Sequence, residues 1–257
     1  MKYVSNISLG FQTTLVYRSN FLIALLARLL QVGLSLLMWR SLYAATEKTT
    51  IHGYSQLHMM QYLILTGLLA ILLTFEPLFR LARLIKTGKI STLLLRPINL
   101  NLESLSNFVG VKLLLIGLLL VLIMSLTAGN KGSMLILCLY ALVSIGLWHQ
   151  IMFLLGTLAF WLVHMWPLRP LLSALYLFSG GILFPLDVLP HWAYQGLRCS
   201  PLALVSSDLV QSILQGPRQP QLIVGYLGMT LVWLGFLLGL SRWLFRSGLH
   251  RFEGAGV

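Results

Sequence analysis

The chain has 257 residues, of which 58% are hydrophobic and only 9% charged, with a mean hydropathy of +0.86 and a formal charge of +12. Soluble domains carry about 25% charged residues, so this composition excludes an ordinary soluble domain and reads as one polytopic membrane domain. The basic residues sit in loops and at helix ends and are not gathered on one soluble face, which excludes nucleic acid as a partner.

Residues 1–19 place Val4, Ile7, Phe11 and Leu15 at helical spacing, with Lys2 and Arg18 at the ends. The spacing predicts a short amphipathic helix on the membrane surface, against the alternative of a frayed terminus. This stretch lacks the apolar core and cleavage site of a signal peptide, so the first span, 21–44, is expected to be kept as the insertion signal. That span holds Arg28, with Gln31 three residues on and on the same face. Arg28 either snorkels to the near surface or lines a protein interior together with Gln31.

A second span, 56–75, ends at Glu76-Pro77, where proline cannot continue the helix unkinked. A polar, basic stretch follows over 76–107. Spans three, 108–128, and four, 134–163, flank a short loop at 129–133. The fourth apolar run exceeds the roughly 20 residues that a bilayer core needs, which predicts tilt or projection beyond the membrane. The fifth span, 171–183, is short, contains Gly180-Gly181 and is stopped by Phe184-Pro185.

A second long connection covers 184–220. It predicts a helix near 190–197 and another starting at Ser200-Pro201, where Ser caps free N–H groups and Pro suits the first helical position. Leu202, Val205, Leu209 and Ile213 mark one apolar face, with Ser206, Asp208, Gln211 and Gln215 away from it, and Gly216-Pro217 ends the helix. Two half-apolar helices beside a membrane read as a re-entrant or interfacial hairpin. The sixth span is 222–240, and the tail is basic. Trp161, Trp166, Trp192 and Trp243 fall near predicted interfaces, where belt anchoring is the default role.

With both termini inside, twelve of the eighteen Lys and Arg residues fall on the inner side and five on the outer, Arg28 lying within its span. This satisfies the positive-inside rule and makes the 76–107 stretch cytoplasmic and the 184–220 hairpin external.

No phosphate-binding loop is present. Gly88-Lys89 lacks the upstream glycine and the following Ser or Thr, so the chain should not hydrolyse ATP. No HExxH, GxSxG or CxxC occurs, and the two cysteines, Cys138 and Cys199, would pair only if the fold brought them together. All six acids fall outside span centres, which weakens paired-carboxylate catalysis and an intramembrane proton relay. His149, near the middle of the fourth span, either lines a substrate path or is a neutral His bonded to a neighbouring helix.

Within the basic stretch, Arg80, Arg83 and Lys86 recur every three residues, interleaved with Leu78, Leu81 and Ile85. This basic amphipathic helix could rest on anionic lipid or dock a soluble partner. The continuation favours docking. Thr87-Gly88 breaks the helix, an apolar turn follows over 91–95, and Arg96-Pro97 stops it. That leaves an apolar knob flanked by basic residues.

Two segments carry a resemblance. One is Gly88-Lys89-Ile90-Ser91-Thr92-Leu93-Leu94-Leu95-Arg96-Pro97-Ile98 after the second span. The other is Phe184-Pro185-Leu186-Asp187-Val188-Leu189-Pro190-His191-Trp192 after the fifth. In this order within six spans, and with the amphipathic N-terminus and the tail Arg251–Gly256, the chain resembles short ABC-2 type transporter permeases over nearly its whole length.

The resemblance implies an all-α membrane domain, no ATPase of its own, and a separate ABC ATP-binding subunit that holds ATP and Mg. It also implies a second permease chain, identical or related, in a bacterial inner (cell) membrane exporter. Under it, Arg80, Arg83, Lys86, Gly88, Leu94, Arg96 and Pro97 would couple to the ATPase. Phe184, Pro185, Asp187, Pro190 and Trp192 would belong to the external gate. Arg28, Gln31 and His149 are the candidate pathway residues. The chain itself is expected to be no enzyme and to bind no cofactor or metal. The alternatives are a stand-alone carrier or channel using His149, or a membrane-bound enzyme acting on lipids, for which no cluster of acids or His assembles.

Overall fold

The computed structural model of the protein describes residues 2–16, 18–46, 49–127, 129–162, 164–215 and 220–252. It is almost entirely helical. Helices α1 (Lys2–Val16) and α2 (Arg18–Thr46) lead to a small hairpin of β1 (Thr50–Ile51) and β2 (Tyr54–Ser55). The hairpin turns on His52 and Gly53, both with positive φ, which is the backbone hand that two-residue turns require. Then come α3 (Gln56–Leu72), α4 (Glu76–Lys86), α5 (Ile90–Leu94), α6 (Leu100–Leu126) and α7 (Lys131–Thr157). The chain ends with α8 (Arg169–Ser179), α9 (His191–Arg198), α10 (Pro201–Val205), α11 (Ser207–Gln215) and α12 (Pro220–Arg251).

Side-chain caps set several helix starts. Ser55 accepts from the His58 N–H, Asn99 from Asn101 and Leu102, Asn130 from Ser133, and Ser200 from Ala203. Each satisfies a donor that the first helical turn leaves open.

Among the described residues, five segments are long and apolar enough to cross a membrane: 22–46, 56–86, 100–126, 131–160 and 220–251. Five of the six expected spans therefore fall within segments of this kind. The remaining one, expected at 171–183, is α8, which has 11 residues. At about 1.5 Å per residue it spans roughly half of a 30 Å hydrocarbon core.

The chain still runs from one end of the bundle to the other there. Trp166 packs against Phe79 of α4 at one end, their tilted rings 5.5 Å apart between centroids, and Asp187 accepts a 2.8 Å hydrogen bond from Tyr54 beside the β-hairpin at the other. Helix α8 covers the first part of that path, and an unwound segment, 180–185, with the short 3-10 turn Leu186–Val188, covers the rest.

The second span breaks at residues 73–75, just before Pro77. The carbonyls that the break frees are taken up by neighbours: Trp148 Nε1 donates to Thr74 O at 2.9 Å and Lys112 Nζ to Ile71 O at 3.2 Å. Helix α1 packs along α6 through two glycines. A Cβ on Gly110 would lie 2.4 Å from Ile7 O, and one on Gly10 would lie 2.9 Å from Asn107 O. The Thr14 hydroxyl also donates to Val111 O at 3.1 Å. The N-terminal amphipathic helix is thus docked on the bundle, with Leu9 and Val16 still exposed.

The main core lies between α3, α6, α7 and α11, around Met59, Tyr62, Leu119, Tyr140 and Trp148. A second, smaller core of Leu81, Ile85, Ile90, Leu100 and Phe153 sits beneath α4 and α5. Cys138 and Cys199 are free thiols. The helix stop expected at Gly216-Pro217 and the tail from Glu253 lie outside the described residues.

Candidate functional site

At the α4–α5 end, sequence and packing divide the basic residues into two groups. Pro77, Leu78, Leu81, Ala82 and Ile85 form the buried face of α4. Gly156 lets this face approach α7 closely, since a Cβ there would meet Leu78 O and Leu81 Cβ at 3.1 Å. Arg80 does not face solvent as a free docking charge. Its guanidinium makes a two-pronged ion pair with Glu103 of α6, at 2.6 and 3.2 Å, and so fixes α4 against α6. Arg83, Lys86, Lys89 and Arg96 are exposed.

Gly88 has φ +70, the left-handed conformation that ends α4 without strain. The five-residue α5 then buries Ile90 in the second core and turns Leu94 and Leu95 outward, Leu95 at 87% exposure. Pro97 is exposed beside it. An apolar knob ringed by Lys89 and Arg96 thus stands on a rigid apolar base. Beside Arg83 and Lys86, a cavity of about 210 Å³ opens against Met165 and Trp166. The guanidinium of Arg169 lies over the Trp166 ring at 4.9 Å.

At the opposite end, the unwound segment exposes four successive carbonyls, and each meets a side-chain donor. The Ser206 hydroxyl donates to Gly180 O and the Tyr62 hydroxyl to Gly181 O. The Thr66 hydroxyl reaches Ile182 O at 3.5 Å, and Trp39 Nε1 donates to Leu183 O at 3.0 Å. Non-helical backbone at membrane depth persists only where protein satisfies it in this way.

Ser206, one of these donors, lies between α10 and α11, both of which are largely buried. Ser206, Ser207, Asp208 and Ser212 are all buried, although the sequence pattern places Ser206 and Asp208 away from the apolar face. The expected single helix from Pro201 breaks at Ser206, whose hydroxyl caps Gly180. Helices α10 and α11 of the hairpin are packed into the bundle, whereas α9 buries none of its residues. Asp187 is tied to Tyr54, which in turn accepts from Gln211 Nε2 at 3.2 Å. Pro185 is buried, Phe184 is half-buried, Pro190 starts α9, and Trp192 is 79% exposed.

Arg28 is half-buried, and its Nη1 donates to Gln31 Oε1 at 2.8 Å beside a cavity of only about 20 Å³. His149 lies 3.0 Å from Ser104 Oγ, between the rings of Phe108 and Phe153. That is the interhelical hydrogen bond of the two readings open for this residue. Its neighbour Gln150 joins three helices, accepting from Asn101 Nδ2 at 2.9 Å and donating to Ser241 Oγ. Among the described residues no group of three or more His, Cys, Asp or Glu could hold a metal ion.

The family model described as ABC-2 family transporter protein matches residues 29–256. The chain belongs to the ABC-2 transporter family. It is therefore the membrane component of an ABC transporter, a transport subunit that is not itself catalytic. No curated protein and no solved structure matches the chain.

In this ABC-2 permease the residues that sequence reasoning missed are those serving backbone carbonyls: Trp39, Tyr62, Thr66 and Lys112. The available signal was polar or amphipathic side chains inside otherwise apolar runs. It gives no partner, because the partner is a carbonyl far away in sequence.

Proposed function

We propose that the chain is the permease subunit of an ATP-driven exporter, coupled through residues 76–107 to a separate ATP-binding subunit that carries ATP and Mg²⁺. Two permease chains, identical or related, enclose the pathway in a bacterial inner membrane. Both termini and the basic end lie in the cytoplasm, and the 184–220 hairpin forms the outer gate. The inner side carries the larger share of Lys and Arg, which supports this orientation.

The observation that carries the reading is the knob. Leu95 is 87% exposed, while Ile90 five residues earlier is fully buried. An isolated apolar tip on a braced base, ringed by Lys89 and Arg96, is the shape that fills a partner's cleft. The cavity beside Arg83 and Lys86 offers a second contact for the same partner.

The test is co-expression with the candidate ATP-binding subunit. Leu95→Asp should abolish co-purification and stimulated ATPase activity, while the permease inserts normally and keeps its melting temperature. Stimulated ATPase activity equal to wild type in this variant would sink the coupling assignment.

A further inference from the structure

A cavity of about 330 Å³ opens between α5, the start of α6, α7 and the C-terminal part of α12. Its walls join the apolar Leu94, Phe153, Leu238 and Phe245 to the polar Asn99, Asn101 and Ser241, and Arg242 and Arg246 also line it. These two arginines are one helical turn apart and exposed, so both guanidiniums reach the same mouth. No carboxylate lines the cavity, and the only ion pair among the described residues is Arg80–Glu103. The first turn of α6, the positive end of a 27-residue helix, also borders it.

Two features identify the occupant. The apolar side of the wall, Leu94, Phe153, Leu238 and Phe245, suits an acyl chain and would gain nothing from a soluble anion. Trp243, between the two arginines in sequence and 66% exposed, is the type of side chain that settles at headgroup level. Val232 and Phe236, 73% and 58% exposed on the same helix, continue toward hydrocarbon.

We propose that this cavity is a binding site for an anionic phospholipid of the adjoining leaflet, its phosphate held by Arg242 and Arg246 and the head of one acyl chain against Leu238 and Phe245. The charge and the depth of the cavity match the two halves of such a molecule. Basic pockets between membrane helices are recognised lipid sites on this physical basis. A lipid seated there would brace Leu94 of the knob region against α12, independently of any ATP-binding partner.

The test uses the purified full chain in neutral detergent, with thermal unfolding followed during titration with phosphatidylglycerol, phosphatidylcholine or soluble glycerol 3-phosphate. Phosphatidylglycerol should raise the melting temperature and the other two should not. The double variant Arg242→Gln/Arg246→Gln should need roughly 30-fold more phosphatidylglycerol, the combined effect expected of two basic residues at an anionic surface. Arg251→Gln removes a charge from the same helix outside the cavity and should titrate like wild type. Leu238→Trp fills the cavity without changing charge and should also lose the response. A double variant that titrates like wild type, an equal response to phosphatidylcholine, or a full response to glycerol 3-phosphate would each overturn the proposal.

Discussion

The Tyr62 hydroxyl of α3 donates to the carbonyl oxygen of Gly181, 119 residues later, and lies 3.1 Å from Ser207 Oγ of the hairpin. One buried phenol thus links a membrane helix, a broken crossing and the hairpin that caps it. Gly181 has φ +69, and a Cβ there would lie 2.9 Å from both Tyr62 Oη and Ser207 Cβ. Gly181→Ala should therefore lower the melting temperature in detergent more than Tyr62→Phe does. The Phe variant loses one buried hydrogen bond, at a cost of about 1–3 kcal/mol. A Gly181→Ala protein as stable as wild type would show that the segment is not held as described.

Arg80 and Glu103 should behave as a structural pair. Their side chains are 29% and 13% exposed, so each neutralisation leaves a partly buried charge. Arg80→Gln or Glu103→Gln should each cost about 1–3 kcal/mol, with the double variant costing less than their sum. Arg83→Gln and Lys86→Gln should leave stability unchanged while reducing stimulated ATPase activity. Thermal melts and ATPase assays on one set of variants separate the two roles.

Asp208 provides a pH dependence. Burial pushes its carboxyl up to about 7, with Arg198 opposing the shift and Asp187 adding to it. An ordinary Asp titrates near 3.9, so the packed hairpin holds this proton more tightly than an undocked one. Packing is then strongest below about pH 4, weakens as pH rises from there to about 7, and is flat above. Asp208→Asn should flatten that slope. Melting curves or limited proteolysis of the hairpin from pH 4 to 8 give the measurement. The same slope in the Asn variant would assign it to another group.

His149 separates the permease from a stand-alone carrier. His149→Gln should cost about 0.5–1.5 kcal/mol through the bond to Ser104 and leave the pH profile of transport unchanged. Transport in liposomes without nucleotide, lost or pH-shifted in this variant, would favour the carrier.

Much of the basic end was legible from sequence. The period of Leu78, Leu81 and Ile85 against Arg83 and Lys86 specifies which face of α4 is buried, and Gly88 and Pro97 bound the knob. Arg80 was not separable from Arg83 by period alone, since Glu103 reaches it only when α6 is folded against α4. At the other end, Ser200-Pro201 gave the start of α10, but the break at Ser206 was hidden. Its cause is a carbonyl at Gly180, which local propensity does not sense.

By itself the sequence determined that this is a helical membrane protein, where its long spans lie, and that a basic stretch and a Pro-rich hairpin interrupt them. Those properties follow from local composition, because a span must be apolar along its own length and a turn must carry its own Gly or Pro. Only the tertiary structure decided that the segment expected as the fifth span is a short helix followed by unwound backbone, and that Trp39, Tyr62, Thr66 and Ser206 serve its carbonyls. An unwound backbone in the membrane is stable only with donors supplied from elsewhere. Those donors come from residues that are distant in sequence and adjacent only in the folded bundle.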